Sequence, residues 1–242
     1  MKLQYLRRIL GIAFLSTRWI KVQPMWLIQT FLVTIGFFII LYMWGGSHGV
    51  ANFLVGAIVA GMWGQGVNIV AQEIAWYRIM RLYDMFVATE LTPSALVLGV
   101  FVSSLAFVAT EFAAYLPIAL AFNGLKYLAL AVAIGLGELA VSLLLGLAIA
   151  LRVSVATNIS AITNPISSIL QILPPVFYPA SMLPTAARYI AMACPTAAAA
   201  EIVRQATGMG VAVPLWIPVV SLCAWLVAGF ALSSRYMKWG LQ

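Results

Sequence analysis

The chain has 242 residues, 64% hydrophobic and 8% charged, where an ordinary soluble domain carries about 45–50% and about 25%. That much apolar surface cannot be hidden in one water-soluble core, whereas a bilayer accepts apolar side chains on the outside as well, so a soluble enzyme, a nucleic-acid binder and a disordered chain are all excluded. The net charge of +7 then matters for where it falls along the chain, because Lys and Arg set membrane orientation.

In chain order, residues 1–24 come first. Gln4, Arg7, Arg8, Gly11, Arg18 and Lys21 fall on one side of a helical wheel, and Leu6, Ile9, Leu10, Ala13, Trp19 and Ile20 on the other. This predicts an amphipathic helix lying in the membrane interface until the chain turns inward at Pro24. No small-residue cleavage site follows the basic stretch, and the apolar run from Met25 is long enough to span, so the segment is expected to be retained rather than removed as a leader.

A hydrocarbon core of about 30 Å needs about 20 helical residues. No Lys, Arg, Asp or Glu occurs between Val22 and Gln72, which predicts two spans, 25–44 and 52–72, joined by the turn Gly45-Gly46-Ser47-His48-Gly49. His48 is the single histidine and reads as a solvated turn residue. The polar stretch that follows has helical spacing: Glu73, Tyr77, Arg81, Asp84 and Ala88 share one side, Trp76, Met80, Tyr83 and Val87 another. It predicts one cytoplasmic helix over 73–92, ended by Thr92-Pro93-Ser94, a helix stop and a fresh start.

Spans three and four follow at 94–122 and 127–151, separated by Asn123-Gly124-Leu125-Lys126. Each holds one acid, Glu111 and Glu138. An ionised side chain near the bilayer midplane costs roughly 2.5–3.5 kcal/mol on insertion scales, so these residues read either as polar points of a translocation path or proton relay, or as glutamates packed between helices. The uncharged stretch beyond Val153 carries Pro165, Pro174, Pro175, Pro179 and Pro184 and cannot be one straight helix. A fifth span is predicted at 158–177. Next comes an external re-entrant helical hairpin, 178–208, because its alanine-rich part is too apolar for water and broken backbone at membrane depth must be buried in protein. A sixth span is predicted at 213–234.

Six spans put both termini on one side. With the termini inside, the cytoplasmic set is Lys2, Arg7, Arg8, Arg18, Lys21, Arg78, Arg81, Arg152, Arg235 and Lys238, against Lys126, Arg188 and Arg204 outside. The excess predicts cytoplasmic termini in a multi-pass cell (plasma or inner) membrane protein. No catalytic constellation accompanies this pattern. The only histidine, His48, stands in a glycine-rich turn and is not read as a base for a Ser or Cys nucleophile, there is no metal-ligand spacing and no phosphate loop, and Cys194 and Cys223 form no short-spaced pair. Catalysis and a metal site are therefore not expected, and any energy for work comes from a partner.

Taken together, these features resemble the permease subunit of type-2 ATP-binding-cassette exporters. The resemblance rests on the basic N-terminal helix, six spans, the long helix ending in Leu91-Thr92-Pro93-Ser94 with Gly99 soon after, and the Phe177-Tyr178-Pro179 to Leu183-Pro184 element with Pro195 and Arg204 beyond it. It implies an all-α polytopic fold in a single permease domain, 1–242, without an ATP-binding site. Partners implied are two copies of a cassette ATPase, which would bind ATP and Mg, and a second permease copy in a homodimer or with a close paralogue. It also implies that Glu73, Tyr77, Arg78, Arg81 and Asp84 lie on the coupling helix that docks into the ATPase, although the Gly-Thr pair frequent in that helix of the family is absent. Phe177, Tyr178, Pro179, Pro184, Pro195 and Arg204 would form the external gate. The path would run along spans one, two and five, for a drug, lipid or glycan substrate. The alternative left open by the residues is an ion-gradient-driven transporter using Glu111 and Glu138, although no broken helix in the first half matches the one in the second, as inverted repeats would require.

Overall fold

The computed structural model describes residues 2–22, 24–89 and 91–236, and these form helices and turns without a strand. Among the expected basic and polar positions, Glu90 and Lys238 lie outside the described residues, as do the side chains of Lys2, Trp19, Ile20 and Lys21.

Helix α1 (Lys2–Val22) is amphipathic in a more divided way than the wheel suggests. Ile9, Ile12, Ala13 and Ser16 are buried, while Leu6 and Leu10 stay exposed. One stripe packs on the start of α5 (Pro93–Ala121), and Tyr5 donates to Ser94 Oγ at 3.1 Å. The apolar Leu3, Leu6, Leu10 and Phe14 beside that stripe stay exposed.

Four helical stretches are long and apolar enough to cross a bilayer: Leu32–Ile79, Pro93–Ala121, Leu125–Arg152 and Trp216–Arg235. The first folds back on itself. Within α2 (Pro24–Gly64), Gly46 is non-helical at φ 52°, ψ −132°, a conformation glycine adopts without a Cβ penalty. The rings of Phe38 and Phe53 meet edge to face at 5.6 Å, whereas an unbroken helix would hold residues so spaced about 22 Å apart. A Cβ on Gly49 would fall on the Leu41 carbonyl, so the two arms touch through their backbones.

The second arm does not stop near Gln72, as the charge pattern predicts. It continues through a π-helical turn (Gln65–Val70) into α3 (Ala71–Ile79). Here it meets α6 (Leu125–Arg152) at closest approach. A Cβ on Gly146 would strike the Gly66 carbonyl, and one on Gly66 would strike Ser142. Ser142 donates to the Met62 carbonyl at 3.0 Å. Small residues that let backbones approach are how helices associate where lipid is as apolar as their side chains.

The single helix expected over 73–92 is two. After α3 the chain breaks at Arg81, which sits left-handed at φ 56°, and restarts as α4 (Leu82–Ala88). The break reorients the wheel. Tyr83, expected beside Trp76 and Met80, is buried, while those two stand exposed. Helix α5 opens as predicted, with the Thr92 side chain accepting from the Ala95 amide and Pro93 in the first turn, and its hairpin to α6 passes Asn123 at φ 52°.

The expected fifth span is shorter than predicted. Helix α7 (Ile159–Ile172) ends before Pro174-Pro175, since two consecutive prolines cannot donate the next hydrogen bonds and their rings crowd the preceding turn. An irregular segment and a 3₁₀ turn (Ala180–Met182) lead to α8 (Thr185–Ala191), α9 (Pro195–Thr207) and α10 (Trp216–Tyr236). Helix α9 is too short to cross a bilayer. It buries Ala197, Ala198, Ala199 and Ala200 completely, packing against α2, α6 and α10.

Candidate functional site

Three groups of predicted site residues lie in three separate places. At the α3–α4 elbow, Tyr77 is buried and turned toward α1, where its hydroxyl lies 3.0 Å from Ser16 Oγ. The same hydroxyl donates to Glu73. These two residues therefore join α3 to α1 instead of pointing outward. Arg78 clamps the far end of α6: Nη1 donates to the Ala150 carbonyl at 2.7 Å and the Val153 carbonyl at 2.6 Å, and Nη2 to the Ser154 carbonyl at 3.2 Å. A helix leaves its last carbonyls without partners, and a guanidinium fork suits them. Arg81 and Asp84 line a polar hollow of about 380 Å³ together with Arg78, Tyr83 and Ser154.

Of the expected gate residues, Arg204 is tied to the backbone that leads into Phe177 and Tyr178. Although 2% exposed, Arg204 spends its fork on three acceptors: Nη1 on the Pro175 carbonyl at 2.8 Å, Nη2 on the Val176 carbonyl at 2.5 Å, and Nε on Asn52 Oδ1 at 3.0 Å. Burial pulls its guanidinium down to about 10, so it still carries its charge at neutral pH. Tyr178 donates to the Leu173 carbonyl at 3.1 Å. Pro179 and Pro184 precede the 3₁₀ turn and α8, and Pro195 occupies the first turn of α9, where a missing N–H costs nothing. Thr196 ties that turn to the Leu170 carbonyl of α7 at 2.6 Å. Nothing in the sequence signalled Asn52 as the partner of a residue so distant.

The third place is a cavity of about 360 Å³ between both arms of α2, α5 and the end of α7. Its polar lining is Thr34, Glu111, Tyr115 and Gln171, and its aromatic lining Phe37, Phe53 and Phe177. Phe177 leans on Phe37, ring centroids 5.1 Å apart, and lies where a Cβ of Gly56 would be. The carboxyl of Glu111 lies against the bare backbone of Gly61. Glu138 does not line this cavity. It is fully buried in α6, and its carboxyl oxygens have no hydrogen-bond partner among the described residues. The two acids paired by the sequence reading therefore occupy different surroundings.

Sequence reasoning passed over α7 as a source of polar groups, although the signal was present. Ser160, Thr163, Asn164, Ser167, Ser168 and Gln171 recur at helical spacing. Thr163 donates to Asn68 of the π turn at 3.1 Å, Asn164 accepts from Gln72 at 3.1 Å, and Gln171 donates to Ser167 at 2.7 Å. A polar seam thus links the cavity to the start of α3.

Two comparisons bear on this arrangement. The sequence model described as ABC-2 type transporter matches residues 11–207. No curated protein matches the chain.

Proposed function

The chain belongs to the ABC-2 type transporter family and is a multi-pass membrane permease subunit that works with an ABC ATPase; from that premise we propose that it exports its substrate through a path formed by two permease copies, driven by two ATPase subunits. The observation that carries this reading is the family match over 11–207, which takes in the elbow, the cavity and the external cap together. Six crossings make up the protomer: the two arms of α2, then α5, α6, α7 with its irregular extension, and α10. Both termini face the cytoplasm, in keeping with the excess of Lys and Arg on that side.

Coupling runs through α4. Arg81, Asp84 and the exposed Met80 and Met85 meet the ATPase, while Arg78 transmits the movement to α6 through the carbonyls it holds. A lever needs firm attachment at one end and a free face at the other, and the inward-turned Glu73 and Tyr77 serve the attachment. On the outer side Phe177 closes the cavity and Arg204 holds the backbone that carries it. ATP and Mg bind in the partner subunit, and this chain contributes no hydrolytic chemistry.

The test is ATPase activity of the purified chain, alone and after co-expression with a cassette ATPase, in the presence of drugs, lipids and glycan carriers. Activity confined to the complex and stimulated by one class is the expected result. Combining Arg81→Glu with Asp84→Lys is expected to lower co-purification of the ATPase at least about tenfold, the scale of a few lost charge-assisted contacts. Unchanged association and transport in that variant would remove α4 as the docking element. Uptake that follows a proton gradient without ATP would replace the exporter reading with the ion-driven one.

A further inference from the structure

The α2–α5–α7 cavity holds one acid without a partner. Its Gln171 amide donates to Ser167 at 2.7 Å, whereas the Glu111 carboxyl has no hydrogen-bond or ion-pair partner among the described residues. Among the described residues no Lys or Arg lines the cavity. Around that acid stand the rings of Phe37, Phe53, Tyr115 and Phe177. Aromatic faces attract cations, most strongly where water is excluded, and a carboxylate at membrane depth is stabilised by an opposite charge brought beside it.

We propose that this cavity binds an amphiphilic organic cation, with its ammonium centre beside Glu111 and its apolar body against Phe37, Phe53 and Phe177. Within the exporter reading, on which the substrate role rests, such a cation is the exported compound. A neutral polyhydroxylated ligand fits less well, because it brings no opposite charge to the Glu111 carboxylate at membrane depth. A volume of about 360 Å³ accommodates a compound with one aromatic ring and a trimethylammonium group. Gly61 has a part in the site, since any larger residue there would push into the Glu111 carboxyl.

The experiment compares benzyltrimethylammonium with its neutral carbon isostere, neopentylbenzene, by equilibrium dialysis against the purified full chain in nanodiscs. The expected result is a Kd at least about tenfold lower for the cation. That preference should disappear in Glu111→Gln, persist in Glu111→Asp and weaken in Gly61→Ala. Equal affinity for the two probes, or an undiminished cation preference in Glu111→Gln, overturns the proposal. If Glu111→Gln does not fold, the wild-type ratio and Gly61→Ala decide alone. The measurement needs no ATPase. A chain that binds the cation but forms no ATPase complex defeats the exporter reading and keeps the site, whereas an active complex whose permease ignores probe charge defeats the site alone.

Discussion

Both ends of the molecule are held by an arginine fork laid across backbone carbonyls, but in different solvents. Arg204, itself buried, binds the buried carbonyls of Pro175 and Val176 and the half-buried Asn52. Arg78 binds Ala150, Val153 and Ser154 at a half-buried edge. The comparison teaches that the same contacts differ in consequence according to whether water can replace them. Acceptors stripped of a donor inside protein bear their full desolvation penalty, while those at an edge are rehydrated. The α9 end is thereby held by contacts that water cannot replace, and the α3–α4 elbow by contacts that it can.

The largest effect that follows is at Arg204. Arg204→Ala should destabilise the protein by roughly 3–5 kcal/mol, since it strands two buried carbonyls and the half-buried Asn52 amide oxygen, and should lower the thermal midpoint followed by tryptophan fluorescence. Arg204→Lys should recover only part of that loss, because an ammonium is a point donor rather than a planar fork. Arg78→Ala should cost about 1–2 kcal/mol. Its main signature should be lost stimulation of the partner's ATPase at nearly normal expression, and a melt as damaging as that of Arg204→Ala would erase the distinction between the two ends.

The smallest effect has the opposite sign. Arg81→Gly relieves the left-handed backbone at φ 56° and should raise stability by about 0.5 kcal/mol, the difference between the strain removed and the extra entropy of glycine. A destabilisation there would mean that the Arg81 side chain holds the elbow together. The double variant Arg204→Ala, Arg78→Ala sharpens the comparison further. The two clamps sit at opposite ends of α6, which is about 42 Å long by helical rise, so their effects should add within about 0.5 kcal/mol.

Much of the architecture was legible because bilayer thickness and proline chemistry act locally. The turn at Gly46, the α5–α6 hairpin, the Thr92-Pro93 start and the break at Pro174-Pro175 all follow from residues that are neighbours in the chain. The errors were of another kind. The helix expected to stop near Gln72 runs on to Ile79, and the helix expected to be continuous breaks at Arg81. Both outcomes accompany bonds from α3 to α1 and α6 that no window of sequence contains.

The candidate site divides along the same line. Arg204 and the Phe177-Tyr178-Pro179 element could be picked out from the sequence because unusual residues cluster there. Asn52 could not, since an asparagine in an apolar run has many possible partners. Glu111 and Glu138 look alike as single acids in single spans, yet one faces a cavity with Thr34, Tyr115 and Gln171 and the other is sealed in α6.

The sequence by itself determined that this is a helical membrane protein and where its chain reverses. Those properties depend on composition and on interactions within a few turns. Only the tertiary structure decided which polar groups meet: the Arg204 and Arg78 clamps, the Ser16–Tyr77–Glu73 link and the cavity around Glu111. Such pairings are set by how whole helices pack, and residues far apart in the chain share a neighbourhood only after that packing is complete.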